Sequence, residues 1–291
     1  MPIIQTQIKG GGITPTGTVN ITSNGTHNVS SYEYADVQVP TTAPALYREF
    51  QLDANGKLIP STTATQIMDF TGMTDVSDYA LYKVYYNNTA ISGVVDMSDL
   101  VTISGIHACE STFQSCTSLT SVDLSSLTTL NTGYACYYMF SDCTGLTSVD
   151  LSSLTTIGGN FACQYMFAGC IGLTSINMST VTAINSNGAC SHMFNSCTGL
   201  TSVDLSGLIA AKGSGVISNA FNKCTSLATV YIGGTTAIDF GTYTNQFSSM
   251  FNSCTQNIDV YAPAASKSAI EAMLGYPNFG GTGTVTWHWR S

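Results

Sequence analysis

From about residue 65 onward, two rhythms of apolar and polar positions take turns along the chain. In Leu146-Thr-Ser-Val149-Asp-Leu151, the side chains of Val149 and Leu151 alternate with Ser148, Asp150 and Ser152. That period of two predicts a half-buried strand. In Ala135-Cys136-Tyr-Tyr-Met139-Phe140-Ser-Asp-Cys143, the positions Cys136, Met139, Phe140 and Cys143 fall at i, i+3, i+4 and i+7. That spacing predicts one buried face of a short helix. Leu154 and Ile157 are read as turning the chain between the two.

The two rhythms recur in register. The anchor is Phe-x-x-Cys, at Phe113/Cys116, Phe140/Cys143, Phe167/Cys170, Phe194/Cys197 and Phe221/Cys224, each 27 residues after the last, with a sixth copy at Phe251/Cys254 after 30. The same frame fits Val95-Asp96-Met97 and Met68-Asp69-Phe70 upstream, so repeats begin near residue 65. A strand-plus-helix unit this short buries its apolar sides only against its neighbours. The expected fold is therefore an α/β solenoid: a coil with a parallel β-sheet lining one side and short helices on the other.

The pattern Phe-x-x-Cys-Thr-x-Leu-Thr-Ser-Val-Asp-Leu resembles the BspA-like leucine-rich repeats of bacterial surface proteins, over roughly residues 65–275. The segment from Val260 to Met273 is similar to that family's closing strand and capping helix. Two departures stand out. Several units carry an additional cysteine four residues before the phenylalanine (Cys109, Cys136, Cys163, Cys190), and Asn257 replaces the usual leucine in the last unit. The resemblance implies binding or adhesion and supplies no catalytic residues.

Ahead of the repeats, Asn24-Gly25 between Gly17–Thr22 and Thr26–Val29 predicts a hairpin, with Ala35–Val39 as a third strand. This module resembles small β modules of phage tail and virion proteins. Residues 1–42 thus read as an arm and small all-β module, 43–64 as a linker and cap with a second hairpin at Asn55-Gly56, 65–262 as repeats, and 263–291 as a capping helix and strand. In the last strand, Trp287 and Trp289 are expected to cover the end of the coil.

Composition narrows the functional classes. Charged residues make up 9% of the chain, against about 25% in a typical soluble domain. Eight basic and 17 acidic residues, a net charge of −9, leave no basic stripe to neutralise phosphates, so a nucleic-acid partner and a polybasic membrane anchor are both excluded. No run approaches the roughly 18 apolar residues of a membrane helix. The opening Met1–Lys9 has neither the charge nor the apolar run of a secretory signal. Together with the phage-like module, this predicts a virion location, with residues 1–42 attached to other virion proteins and the coil facing outward. The alternatives are a bacterial cell-surface adhesin whose signal has been removed, and a purely structural decoration protein.

The chemistry-bearing residues fall in columns. Ten cysteines without a Cys-x-x-Cys pair, and four scattered histidines, give no zinc pattern. On helical geometry Cys136 and Cys143 lie about 10.5 Å apart, and packed helices about 8–10 Å apart. Both exceed the reach of a disulfide, so buried free thiols are expected. The outward strand position is occupied by Asp69, Asp96, Asp123, Asp150, Asn177 and Asp204 at 27-residue steps, then by Tyr231 and Tyr261. Carboxylates on strands about 4.8 Å apart repel by about 1 kcal/mol in water. Relief is expected from raised pKa values, from hydrogen bonds by the flanking Ser and Thr columns, or from a cation such as Ca²⁺. The tyrosines are candidates for contact with a glycan or protein partner. No Gly-x-Ser-x-Gly or His-Glu-x-x-His motif occurs, and Gly10-Gly-Gly12 precedes no helix, so no catalytic residue and no enzyme is expected.

Overall fold

The structure, a computed structural model, describes residues 70, 72–76 and 78–291 and the backbone of four short strand segments upstream. Asp69 and most of the two N-terminal modules, including the hairpin expected at Asn24-Gly25, lie outside the described residues. Of the upstream segments, Asn20–Ile21 pairs antiparallel with Val37–Gln38, and Gln51–Leu52 pairs antiparallel with Leu58–Ile59 around Asn55-Gly56.

The repeats form a parallel β-solenoid of about eight turns. The front sheet contains one strand per turn: Ser92–Asp96, Ser118–Asp123 and Ser148–Asp150 in one hydrogen-bonded group. Ser175–Asn177, Ser202–Leu205, Thr229–Ile232, Ile258–Pro263 and Val285–Arg290 form the other. Register follows the repeat, pairing Val95 with Val122, Val122 with Val149, and Val203 with Val230. Threonine hydroxyls reinforce the ladder by donating to carbonyls of the preceding turn, as from Thr147 to Thr120 (3.0 Å) and from Thr201 to Thr174 (2.9 Å).

A second parallel sheet occupies the segment read from sequence as a simple turn. Six two-residue strands, from Asp75–Val76 to Ala210–Ala211, stack there and include Thr156–Ile157. Each buries its second residue in the core, so this sheet too is read by an inward Val, Ile, Leu or Ala every 27 residues.

The helical leg is the main correction. Among the described residues the one α-helix is the short Lys267–Glu271 near the C-terminus. The segments that carry Phe-x-x-Cys are ribbons of consecutive turns with a left-handed residue at every fourth position, as at Tyr134, Tyr138 and Asp142 (φ 57°, 53° and 59°). Alternate amides serve different partners. Those of Cys136, Tyr138 and Phe140 donate to Ala162, Gln164 and Met166 of the next turn (2.7, 3.1 and 2.9 Å). Those of Tyr137, Met139 and Ser141 donate three residues back (3.2, 3.1 and 3.1 Å). The reason is lateral spacing: hydrogen-bonded chains stack every ~4.8 Å, whereas a helix with its side chains is about 10 Å across. A leg that ladders with its neighbour cannot be a helix. Apolar residues at i, i+3, i+4 and i+7 fit a four-residue turn period as well as the 3.6-residue helical one, so the pattern alone does not separate them.

The inward side chains make one continuous core running from Phe70 to Val285. The anchor phenylalanines stand in single file, with ring centroids of Phe113, Phe140, Phe167, Phe194, Phe221 and Phe251 separated by 5.3, 5.8, 5.8, 5.8 and 6.0 Å. The anchor cysteines show why the motif pairs these two residues. From Cys143 onward each Sγ donates to the carbonyl of the previous turn's phenylalanine, Cys143 to Phe113 (3.0 Å), Cys170 to Phe140 (3.2 Å) and Cys197 to Phe167 (3.0 Å), while Cys116 donates to Tyr85 (3.1 Å). A small apolar side chain with a weak donor fits that place. At the C-terminal end Trp287 packs against Tyr276 and Phe279 and stacks on Trp289 (5.6 Å), and both indoles lie against the core.

Candidate functional site

The front sheet turns one side of each strand outward, and the outward column is the one expected from sequence. Asp96, Asp123 and Asp150 are in register, as are Asn177, Asp204, Tyr231 and Tyr261, and the column continues to His288. His288 extends the column beyond the residues singled out from sequence, where the four histidines look scattered. Its place 27 residues after Tyr261, in an alternating strand, is the signal that marks it.

The acidic part of the column has a local structural job. Each carboxylate accepts the backbone N–H of the serine two residues on: Ser98 to Asp96 (3.1 Å), Ser125 to Asp123 (2.9 Å), Ser152 to Asp150 (2.9 Å) and Ser206 to Asp204 (2.8 Å). Asn177 does the same with Ser179 (3.0 Å). These are Asx-turns that end each strand. Asn177 keeps the acceptor without the charge, so the turn explains the column better than a demand for carboxylate does. The expected rise in pKa is absent at Asp96: hydrogen bonds from the Ser98 side chain and backbone hold its carboxyl below the usual 3.8. Hydrogen bonding is therefore the relief that the structure supplies. Among the described residues no three acidic, histidine or cysteine side chains converge as cation ligands.

Pairing in the front sheet is interrupted between Ser148–Asp150 and Ser175–Asn177. A shallow depression of 440 Å³ opens there, lined among others by Ser121, Asp123, Ser148, Asp150 and Asn177.

The aromatic end of the column is different. Tyr231 and Tyr261 stack at 4.9 Å, and Tyr261 stacks on His288 at 4.6 Å. The three rings are half-buried. The guanidinium of Arg290 lies 5.6 Å over the Tyr231 ring and donates to the Gly233 carbonyl, and His288 Nε2 lies 2.9 Å from Asp259 Oδ1. Stacking occupies the ring faces within the ladder, so what it offers a partner is ring edges and hydroxyls, flanked by one cation and one carboxylate.

A second aromatic group, on the turn ribbon, was not singled out from sequence. Tyr79, His107, Tyr134 and Phe161 stack at 5.0, 4.7 and 5.3 Å, and Tyr138, Tyr165 and His192 stack at 4.6 Å per step. All of these residues have left-handed φ. Burial raises the Tyr165 phenol above its usual 10.0 and lowers His192 below 6.5.

Sheet, stacked core and outward column define a leucine-rich-repeat solenoid. Six copies of the BspA type leucine rich repeat region match residues 83–189 and 110–271, more than half of the chain, and the protein belongs to that family. Its members are generally non-enzymatic interaction scaffolds, and recognition or adhesion is the role the family gives this chain. Among solved structures, a leucine-rich repeat protein from Bacteroides ovatus ATCC 8483 is 13% identical, with 79% of this chain and 82% of that one covered and a TM-score of 0.31. A leucine rich cell surface protein from Faecalibacterium prausnitzii A2-165 is 14% identical, with 83% and 94% covered and a TM-score of 0.21. A search of curated proteins gave no match. No helix among the described residues is long and apolar enough to cross a membrane.

Proposed function

We propose that this protein is a non-enzymatic recognition protein that binds a cell-surface glycan or protein across its front sheet, with Tyr231, Tyr261 and His288 as the principal contacts. The observation that carries this reading is the change of the outward column from turn-forming carboxylates to stacked, half-exposed aromatics beside Arg290. The acidic residues have a structural reason to be where they are; the tyrosines have none in the turn that follows them. Tyrosine, tryptophan and arginine are enriched in binding hot spots, the aromatics because they present much rigid area at small entropic cost.

Family membership favours a bacterial cell surface over a virion as the location. The virion reading rests on the opening sequence and on the module in residues 1–42, most of which lies outside the described residues.

The test is binding of the full chain to an array of cell-surface glycans and to intact bacterial and host cells. Replacing Tyr231 and Tyr261 together by alanine is expected to weaken binding at least tenfold, the equivalent of about 1.4 kcal/mol. An unchanged affinity, with loss instead on replacing Asp123 and Asp150 by alanine, would move the site to the 440 Å³ depression. Absence of binding to every probe would favour the purely structural role.

A further inference from the structure

The cysteines four residues ahead of each anchor phenylalanine are a part of the repeat that the recognition face does not use. Cys109, Cys136, Cys163 and Cys190 occupy successive rungs of the turn ribbon. The amides of Cys109, Cys136 and Cys163 donate to Ala135, Ala162 and Ala189, the residue before each one's counterpart in the next turn (2.8, 2.7 and 2.8 Å). Hydrogen-bonded chains lie ~4.8 Å apart, within the roughly 4.4–6.8 Å that a disulfide asks of its Cα atoms. The objection from sequence, that helices would hold these residues too far apart, disappears with the helices.

The two cysteine columns differ in what their thiols do. In the anchor column each Sγ is turned to a carbonyl of the preceding turn. In the first column the neighbouring thiol pushes its partner's pKa up, Cys109 acting on Cys136 and Cys163 on Cys190. All four are free and buried in the apolar core. A disulfide would add no charge to that core, whereas a soft cation would need thiolates there.

We propose that Cys109–Cys136 and Cys163–Cys190 are turn-to-turn disulfide sites that close as the chain folds in the presence of a small-molecule disulfide, pinning adjacent turns of the solenoid. The thiolate of one cysteine attacks glutathione disulfide and expels one glutathione. The thiolate of its neighbour then attacks the mixed disulfide and expels the second. Each pair loses two protons and two electrons, and one glutathione disulfide becomes two glutathione thiols. Burial restricts this chemistry to the interval before the turns pack. A bridge across one repeat limits the unfolded chain and so raises stability.

The experiment refolds the full chain from denaturant with a mixture of glutathione disulfide and glutathione, and in parallel with dithiothreitol. Free thiols are counted in denaturant, and peptides are mapped by mass spectrometry. The expected result is a fall from ten thiols to six, linked peptides for these two pairs alone, and a higher melting temperature than the reduced chain. The Cys109→Ala/Cys163→Ala double variant leaves partners two rungs apart and is expected to keep its remaining thiols free under the same treatment. Ten free thiols after oxidative refolding, links that involve the anchor column, or an oxidised chain that melts lower would each overturn the proposal.

Discussion

Phe167→Ala is the most incisive test of how the turns hold together. The ring is fully buried, stacked 5.8 Å from Phe140 on one side and 5.8 Å from Phe194 on the other, with interplanar angles of 6° and 8°. Truncation removes the ring and leaves a cavity bounded by two other rings on rungs tied by backbone hydrogen bonds, which limits collapse into the space. Phenylalanine-to-alanine changes in such sites cost about 3–5 kcal/mol. Set against the roughly 5–15 kcal/mol that holds a typical domain folded, that is a large share. At roughly 2–4 °C per kcal/mol for a chain of this size, the midpoint should fall by about 6–20 °C. Because each turn of a solenoid contacts only its neighbours, the loss should also uncouple the halves and broaden the transition. Thermal and urea unfolding followed by circular dichroism and by tyrosine fluorescence would measure both effects. Phe167→Leu, which keeps most of the apolar volume, should cost under about 1.5 kcal/mol. If alanine costs less than about 1 kcal/mol, or if alanine and leucine are equivalent, the single-file core is not what joins the turns.

Other expectations address separate parts of the structure. Gly188 has φ 58°, and a Cβ there would stand 2.6 Å from the Phe161 ring. Gly188→Ala should therefore destabilise the protein by more than about 1 kcal/mol, and adding Phe161→Ala should recover part of that loss; additive costs in calorimetry would count against the contact. Burial holds the folded-state pKa of His192 below 6.5, so the unfolded chain binds the proton more readily. Its contribution is fully present above about 6.5 and declines as the pH falls toward the folded-state value. Melting temperatures from pH 7.5 to 5 should show this slope, and His192→Phe should reduce it; an unaltered slope would assign it to another group. Burial pushes the thiols of Cys116 and Cys197 up to about 12. The reduced native protein should thus resist an aromatic disulfide reagent and release all ten thiols to it in denaturant, whereas rapid labelling of the native form would contradict the packing.

Much of the architecture was legible in residues, and what escaped has a physical reason. Phe113 to Phe251 gave the period, and the alternation around Val149 and Leu151 gave the front strands, because a period of two has no competitor. The ribbon was misread because Cys136, Met139, Phe140 and Cys143 suit two geometries whose periods differ by a tenth. The tie-breaker lay on the outward side, where Asp142, Gly169 and Ser196 sit in one left-handed column and Gly188 and Gly215 in another. Turn-forming residues every fourth position are a poor signature for a helix. That misreading also put the cysteines too far apart. In the candidate site, the column from Asp96 to Tyr261 was found because it follows the strand register, but the Asx-turns were not, since they depend on where each strand ends. His288 lies one 27-residue step after Tyr261, but its strand carries no Phe-x-x-Cys anchor to mark it as a further turn.

The solenoid is held by hydrogen bonds between neighbouring turns on the turn ribbon as well as in the sheets. Through-hydrogen-bond scalar couplings in an isotope-labelled sample measure this directly. Couplings from the amide nitrogens of Cys136 and Phe140 to the carbonyl carbons of Ala162 and Met166 are the expected result. A coupling from the Phe140 amide to the Cys136 carbonyl instead would show a helix there and rule out the laddered ribbon.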